Sequence, residues 1–213
     1  MKVNIKKEGK KKTYNLINSW SDVTLEKWIS LIDLEAGSKT KEAEETIATL
    51  SDIPRKLIKE LSIRDVAIIM KKLAELQNRQ DTVLTKVIEI DGIEYGMHPN
   101  LDDITLGEYA DIETFIKNGL EKNMPELMSV LFRPVTERSG EAYVIAAYDG
   151  NITIRAEAMK KMSAEQVQST LFFFYNFVIG FSKIMPSFLI EQTQEKMKQL
   201  QTETLQNAGV GSE

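Results

Sequence analysis

The chain contains no cysteine. Disulfides, thiolate metal sites and cysteine nucleophiles are therefore excluded. It has a single histidine, His98, so no two-histidine metal site can be built within one copy. His98 precedes Pro99 in a turn context, and a structural role is expected for it. No surplus of positive charge is present. The net charge is −5, and phosphate backbones need a concentrated basic surface, so broad nucleic-acid binding is not expected. The local exception is the lysine run over residues 6–12, which sits on a hairpin tip and reads as a solvated loop. No apolar run is long enough for a bilayer. The longest, 171–185, is interrupted by Asn176, Ser182 and Lys183 and falls short of the roughly 20 apolar residues a span needs. A buried helix is expected there. The first residues carry no apolar h-region, so no secretory signal is expected. Gly92, Gly96 and Gly107 have the wrong spacing for a phosphate-binding fingerprint and follow a hairpin rather than a βα turn.

At 213 residues, with 42% hydrophobic and 28% charged positions, the chain reads as a globular protein of one larger or two smaller domains. Its organising feature is a stretch that occurs twice. Ser21-Asp22-Val23-Thr24-Leu25-Glu26-Lys27-Trp28 stands near the start, and Asp102-Asp103-Ile104-Thr105-Leu106-Gly107-Glu108-Tyr109 near the middle. Thr24 and Thr105 are good helix N-caps, because a hydroxyl there accepts from a free first-turn amide. Glu108 completes a capping box with Thr105. Val23 with Trp28, and Ile104 with Tyr109, stand at the positions of hydrophobic staples, which set the angle of helix entry.

A hairpin precedes each copy. The first covers residues 3–17 and turns at Glu8-Gly9. The second covers 84–97 and turns at Asp91-Gly92, the strongest short hairpin signal in the chain. Tyr14 precedes Thr24 by the same distance as Tyr95 precedes Thr105. Leu16 matches Met97, Trp20 matches Leu101, and Asp22 matches Asp103. Further on, Ile47 to Leu50 before Pro54 resembles Leu127 to Leu131 before Pro134. Ser62 with Asp65 and Val66 resembles Ser163 with Gln166 and Val167, each a further cap, with Gln166 expected to complete a box. On the helix after Ser62, the residues Ile63, Val66, Ala67, Met70, Leu73 and Gln77 trace one face. The numbering offset grows between these points, so the second copy carries an insertion near 135–160, read as a loop plus a short helix over 152–162.

The expected fold is α+β, mostly α, with two hairpin-plus-helices units arising from an internal duplication. The first unit covers 1–80 and the second 84–185, with the insertion inside it. A C-terminal helix and tail fill 186–213, the helix running from 187 to about 207. Isolated two-stranded ribbons are marginal in water, so the two hairpins are expected to share one sheet or to be captured by a neighbouring subunit.

No catalytic constellation accompanies the motif. Asp102, Asp103 and Asp111 look like an acidic cluster, but an aspartate beside a helix start is favourable on electrostatic grounds alone. The densest aromatic stretch, Phe172-Phe173-Phe174-Tyr175 with Phe177 and Phe181, is read as a helix buried in its own fold, with burial of one face inside and the other against a second subunit as the alternative. Candidate partner contacts are Arg133, Arg138, Phe173 and Phe177, together with Met197 and Leu200 on the tail. No cofactor is expected.

The paired motif resembles a set of tailed-bacteriophage proteins, among them proteins of the T-even baseplate hub-assembly type and virion proteins of gut and marine phages. The resemblance is carried by Tyr95, Leu101, Asp103, Thr105, Leu106, Tyr109, Asp111, Leu131, Arg133 and Pro134, with Tyr14, Trp20, Asp22, Thr24 and Trp28 as the weaker copy. It implies a non-enzymatic structural protein of the tail, neck or baseplate, oligomeric and in contact with other virion proteins. The location implied is the virion, after assembly in the host cytoplasm. Alternatives are an assembly chaperone absent from the mature particle, an unrecognised enzyme with an acidic site, and a host adaptor that uses its C-terminal helix as a coiled-coil partner.

Overall fold

The computed structural model describes residues 1–7, 10–32, 34, 38–77 and 84–181. The C-terminal helix expected over 187–207, with Met197 and Leu200, lies outside them, as do Glu8, Gly9 and the break at 78–82.

The first hairpin joins β1 (Lys2–Lys7) to β2 (Lys10–Asn15) in an antiparallel register that places Val3 opposite Tyr14. After a 3-10 turn at Trp20–Asp22 come α1 (Leu25–Ile32), α2 (Lys39–Thr49), α3 (Arg55–Ile58) and α4 (Ile63–Gln77). The second hairpin joins β3 (Val87–Ile90) to β4 (Ile93–Met97). Asp91 and Gly92 both have positive φ, 52° and 79°, which is the turn that matches the twist of paired strands. A second 3-10 turn, Leu101–Asp103, leads into α5 (Leu106–Lys117), α6 (Met124–Leu131), β5 (Phe132–Ser139), β6 (Ala142–Ile145), α7 (Ile152–Met159) and α8 (Ala164–Phe181). The fold is α+β with helix predominating. A continuous buried cluster runs from Val3 and Tyr14 through Leu25 and Ile47 to Leu131, Phe132, Val167 and Phe174. At its centre lies α6, with Met124, Leu127, Met128, Val130 and Leu131 all buried. Pro125 fits in its first turn, where the missing N–H costs nothing.

The hairpins do not share a sheet. β1 and β2 form one, and β3-β4-β5-β6 form another. The reason is that the inner edge of each hairpin is already taken. Segment 51–53 lies along β2: Ile17 N donates to the Leu50 carbonyl at 3.1 Å, Asp52 N to the Asn15 carbonyl at 3.0 Å, and Leu16 faces Ser51. β5 lies along β4 in the same way. His98 N donates to the Leu131 carbonyl at 2.7 Å, Met97 faces Phe132 and Gly96 faces Arg133.

The insertion holds the expected short helix, α7, but the segment before it is a pair of strands and not a loop. β5 continues through Ser139, turns at Gly140, and returns as β6, which widens the sheet. This places Tyr143 across the sheet over Gly96, and its O–H donates to the Met97 carbonyl at 2.8 Å. A second correction concerns α4. Its buried side chains are Ile69, Leu73 and Leu76, while Ile63, Ala67 and Ile68 are exposed. The helix is apolar on more than one side, and its packing against α2 decides which side turns inward. A third concerns Asp22 and Asp103. Each belongs to a 3-10 turn: Asp22 accepts from Asn18 N at 2.8 Å, and Asp103 accepts from Asn100 Nδ2 at 2.9 Å.

A β-carbon on Gly96 would stand 2.5 Å from Tyr143 Cε2 and 2.8 Å from Ile145 Cγ2. Gly96→Ala is therefore expected to cost about 1–3 kcal/mol through overpacking. Urea unfolding checks this, and in a Tyr143→Ala background the cost of the added methyl should fall.

Candidate functional site

Among the described residues, charge is buried at one place, around Glu108. Thr105 caps α5 and makes the full box: its Oγ1 accepts from Glu108 N at 3.3 Å. In return Glu108 Oε2 accepts from Thr105 N at 2.8 Å and from Thr105 Oγ1 at 2.7 Å. The other carboxylate oxygen, Oε1, lies 2.9 Å from Arg133 Nη2, an ion-pair contact without hydrogen-bond alignment. It also lies 3.8 Å from His98 Nε2. Glu108 and Arg133 are both buried. The cluster thus ties the start of α5 to β5 and to the end of β4.

Around the pair sits a second tier. The Tyr148 ring lies with its centroid 5.8 Å from Arg133 Cζ. Its hydroxyl donates to the Asp111 carboxylate, on α5 one turn beyond Glu108. Arg155 on α7 donates through Nε to the Ser129 carbonyl at 3.3 Å and pairs through Nη1 with Asp149 at 2.7 Å.

Burial pushes the Glu108 pKa up, but the hydrogen bonds from Thr105 and the charges of Arg133 and His98 outweigh it and hold the carboxyl below its usual range. Burial pushes His98 down, against the pull of Glu108. Burial also lowers Arg133, opposed by Glu108. Tyr148 is raised by burial and by its bond to Asp111. An ionised carboxylate buried opposite an arginine serves as a counter-ion between the helix start and the strand. It lacks the raised pKa and the open approach of a general acid.

The sequence-derived candidates are distributed as follows. Thr24 Oγ1 accepts from Lys27 N at 3.4 Å, and Ser62 Oγ from Asp65 N at 3.1 Å. Ser163 Oγ accepts from Gln166 N at 3.2 Å. Gln166 does not complete the expected box, because its side-chain amide donates to the Thr85 carbonyl at 2.7 Å. Val23 and Trp28 are buried together, whereas Ile104 and Tyr109 are half-buried. Arg133 is not a partner contact, because burial opposite Glu108 removes it from the surface. Arg138 is exposed and pairs with Glu94. Phe173 is exposed, while Phe177 is half-buried with its ring 6.2 Å from that of Phe174. Asp102, Asp103 and Asp111 do not converge: Asp102 is exposed, Asp103 serves its turn, and Asp111 serves Tyr148. Among the described residues no group of three or more acidic, histidine or cysteine side chains could hold a metal ion. No helix among them is long and apolar enough to cross a membrane.

A groove of about 470 Å³ lies between the outer edge of β3 and the start of α8, lined by Val87, Glu89, Ser163 and Glu165 among others. Sequence reasoning missed it, and it also missed the Glu108–Arg133 pair. The signal for the pair was present: Arg133 stands directly after the apolar run Leu131-Phe132 and before Pro134. A charge in such a setting needs a buried partner. No family model, curated protein or solved structure matches the chain.

Removing one member leaves the other buried and uncompensated. Arg133→Met is expected to cost about 3–5 kcal/mol, and joint replacement with Glu108→Leu to cost less than the two single changes together. Urea unfolding of the four chains checks this. The folded-state pKa values of His98 and Glu108 both lie below their unfolded ones, so the unfolded chain binds protons first. Stability is present above the unfolded values and declines below about pH 6.5 through His98 and below about pH 4.3 through Glu108. In His98→Asn the first decline should disappear from a urea-midpoint series against pH.

Proposed function

We propose that the chain is a duplicated hairpin-and-helix module serving as a non-enzymatic component of a tailed-bacteriophage tail, neck or baseplate, and that it works through subunit contacts. The phage assignment rests on the resemblance of the paired motif. The duplication is carried by recurring geometry. The step along the chain that takes Ile17 to His98 also takes Leu50 to Leu131, and these residues make the same hydrogen bond. The same step takes the first 3-10 turn to the second and the start of α1 to the start of α5. After the β5–β6 insertion a longer step relates Ser62 to Ser163, and Val66 N to Ser62 O matches Val167 N to Ser163 O, each at 3.0 Å.

A non-enzymatic role is supported by where the polar groups are used. Glu108, Arg133 and His98 lock helix to sheet, and the aspartates serve turns and a tyrosine. What the surface offers instead is apolar side chains and strand edges, the material of interfaces.

Mass spectrometry of purified particles from the source that encodes the chain tests the reading. Stoichiometric copies are expected for a structural component. Presence only in assembly intermediates would indicate an assembly factor, and absence from both would sink the proposal. The acidic-site alternative is tested separately. Asp102→Asn, Asp103→Asn and Asp111→Asn combined should leave particle yield intact, with a modest loss of thermal stability from the altered turn. Loss of yield with the fold retained by circular dichroism would point to chemistry at those carboxylates.

A further inference from the structure

The two halves of the chain meet at a short antiparallel joint between helix starts. Leu25 N donates to the Met162 carbonyl at 2.7 Å, Ala164 N donates to the Val23 carbonyl at 2.7 Å, and Thr24 faces Ser163. Glu26 N donates to the Lys160 carbonyl at 3.0 Å. First-turn amides have no partner within their own helix. Here the helix starts of α1 and α8 satisfy one another, and both Leu25 and Ala164 are 0% exposed.

Each side of that joint has a counterpart elsewhere in the chain. Segment 23–25 corresponds to 104–106, and segment 162–164 corresponds to 61–63. The counterparts have the same local geometry. Trp28 N to Thr24 O, at 2.9 Å, is matched by Tyr109 N to Thr105 O at 3.0 Å, and Ser62 caps α4 as Ser163 caps α8. They differ in that no described residue is seated on them. Leu106 is 83% exposed and Ile63 is 84% exposed, the two most exposed large apolar side chains among the described residues. The amides of Leu106, Gly107 and Ile63 have no hydrogen-bond partner among the described residues. The mismatch extends along both helices. Ile68 is exposed where its counterpart Ser169 is buried, and Ile104 is half-buried where Val23 is buried.

We infer that copies of this chain associate head to tail, segment 104–106 of one copy pairing with segment 61–63 of the next, by the joint that 23–25 makes with 162–164 inside each chain. A two-fold relation between the halves would make both joints within one chain. Only one is made, so the relation is heterologous and leaves one unfilled face at each end. Repeating it between chains seats Leu106 where Leu25 sits, and gives the free amides of Leu106 and Ile63 the carbonyls of Leu61 and Ile104. A rotation that closes gives a ring, and one that does not gives a filament. This inference rests on the duplicated-module part of the proposed function and identifies the partner as a second copy.

The test uses the purified full chain, so it is independent of particle composition. In sedimentation velocity the wild-type mass should rise with concentration past that of a dimer. Leu106→Glu spoils one face and Ile63→Glu the other, and each variant should remain monomeric where the wild type assembles. Mixed in equal amounts they should form a dimer and stop there, since only one intact pairing remains. A wild type that stays monomeric throughout, variants that assemble like the wild type, or a mixture that stays monomeric would each overturn the inference. Should either glutamate variant lose its circular dichroism, a chain carrying Ser62→Cys and Thr105→Cys decides instead. The two positions would face each other as a non-hydrogen-bonded antiparallel pair, close enough for a disulfide. The chain has no other cysteine, so a ladder on a non-reducing gel supports the joint and a lone monomer band refutes it.

Discussion

The buried pair of Glu108 and Arg133 is the contact on which the second half of the fold depends. One carboxylate serves two ends. Its Oε2 closes the capping box that starts α5, and its Oε1 faces the arginine that β5 brings in beside Gly96. Neither charge would be tolerated there alone, because desolvating a single ion costs several kcal/mol. Helix start, strand pairing and the burial of His98 are therefore coupled. A slip of β5 by one residue would turn Arg133 to the other face of the sheet and strand both charges. The Tyr148–Asp111 bond and the Arg155–Asp149 pair extend the tie to the segment leading into α7 and to α7 itself.

A second constraint is the treatment of edges. Each hairpin would be marginal alone. Each is stabilised by an extended segment that returns along its inner strand, 51–53 in one half and β5 in the other. The first half stops there, while the second adds β6 and gains a four-stranded sheet. The halves then join at the starts of α1 and α8, where backbone amides and apolar side chains are satisfied together. That joint is made once, and its unused counterparts account for the exposure of Leu106 and Ile63.

Several elements could be read without any fold. Asp91-Gly92 announced a hairpin, because few residues accept positive φ in succession. Thr105 with Glu108 announced a helix start, because the chemistry of the cap is contained in four residues. The insertion was located by the change in numbering offset, but its strands were not, since the return of β5 as β6 depends on the edge that β4 and the first part of β5 create. The inner face of α4 was misplaced because apolar residues surround much of that helix. Tertiary packing, with α2 against the helix, turns Ile69, Leu73 and Leu76 inward. In sequence alone Arg133 reads as a surface contact, because its partner Glu108 lies far off along the chain.

What the sequence by itself determined is local: the caps, the hairpin turn, the recurrence of one motif, and the absence of cysteine chemistry. These depend on backbone preferences and hydrogen bonds that reach only a few residues. What only the tertiary structure decided is which copy of the motif is filled. Leu25 and Leu106 stand in the same local context, yet one is fully buried and the other almost fully exposed. Burial is a property of what packs on a residue, and nothing within a few positions of either leucine encodes it.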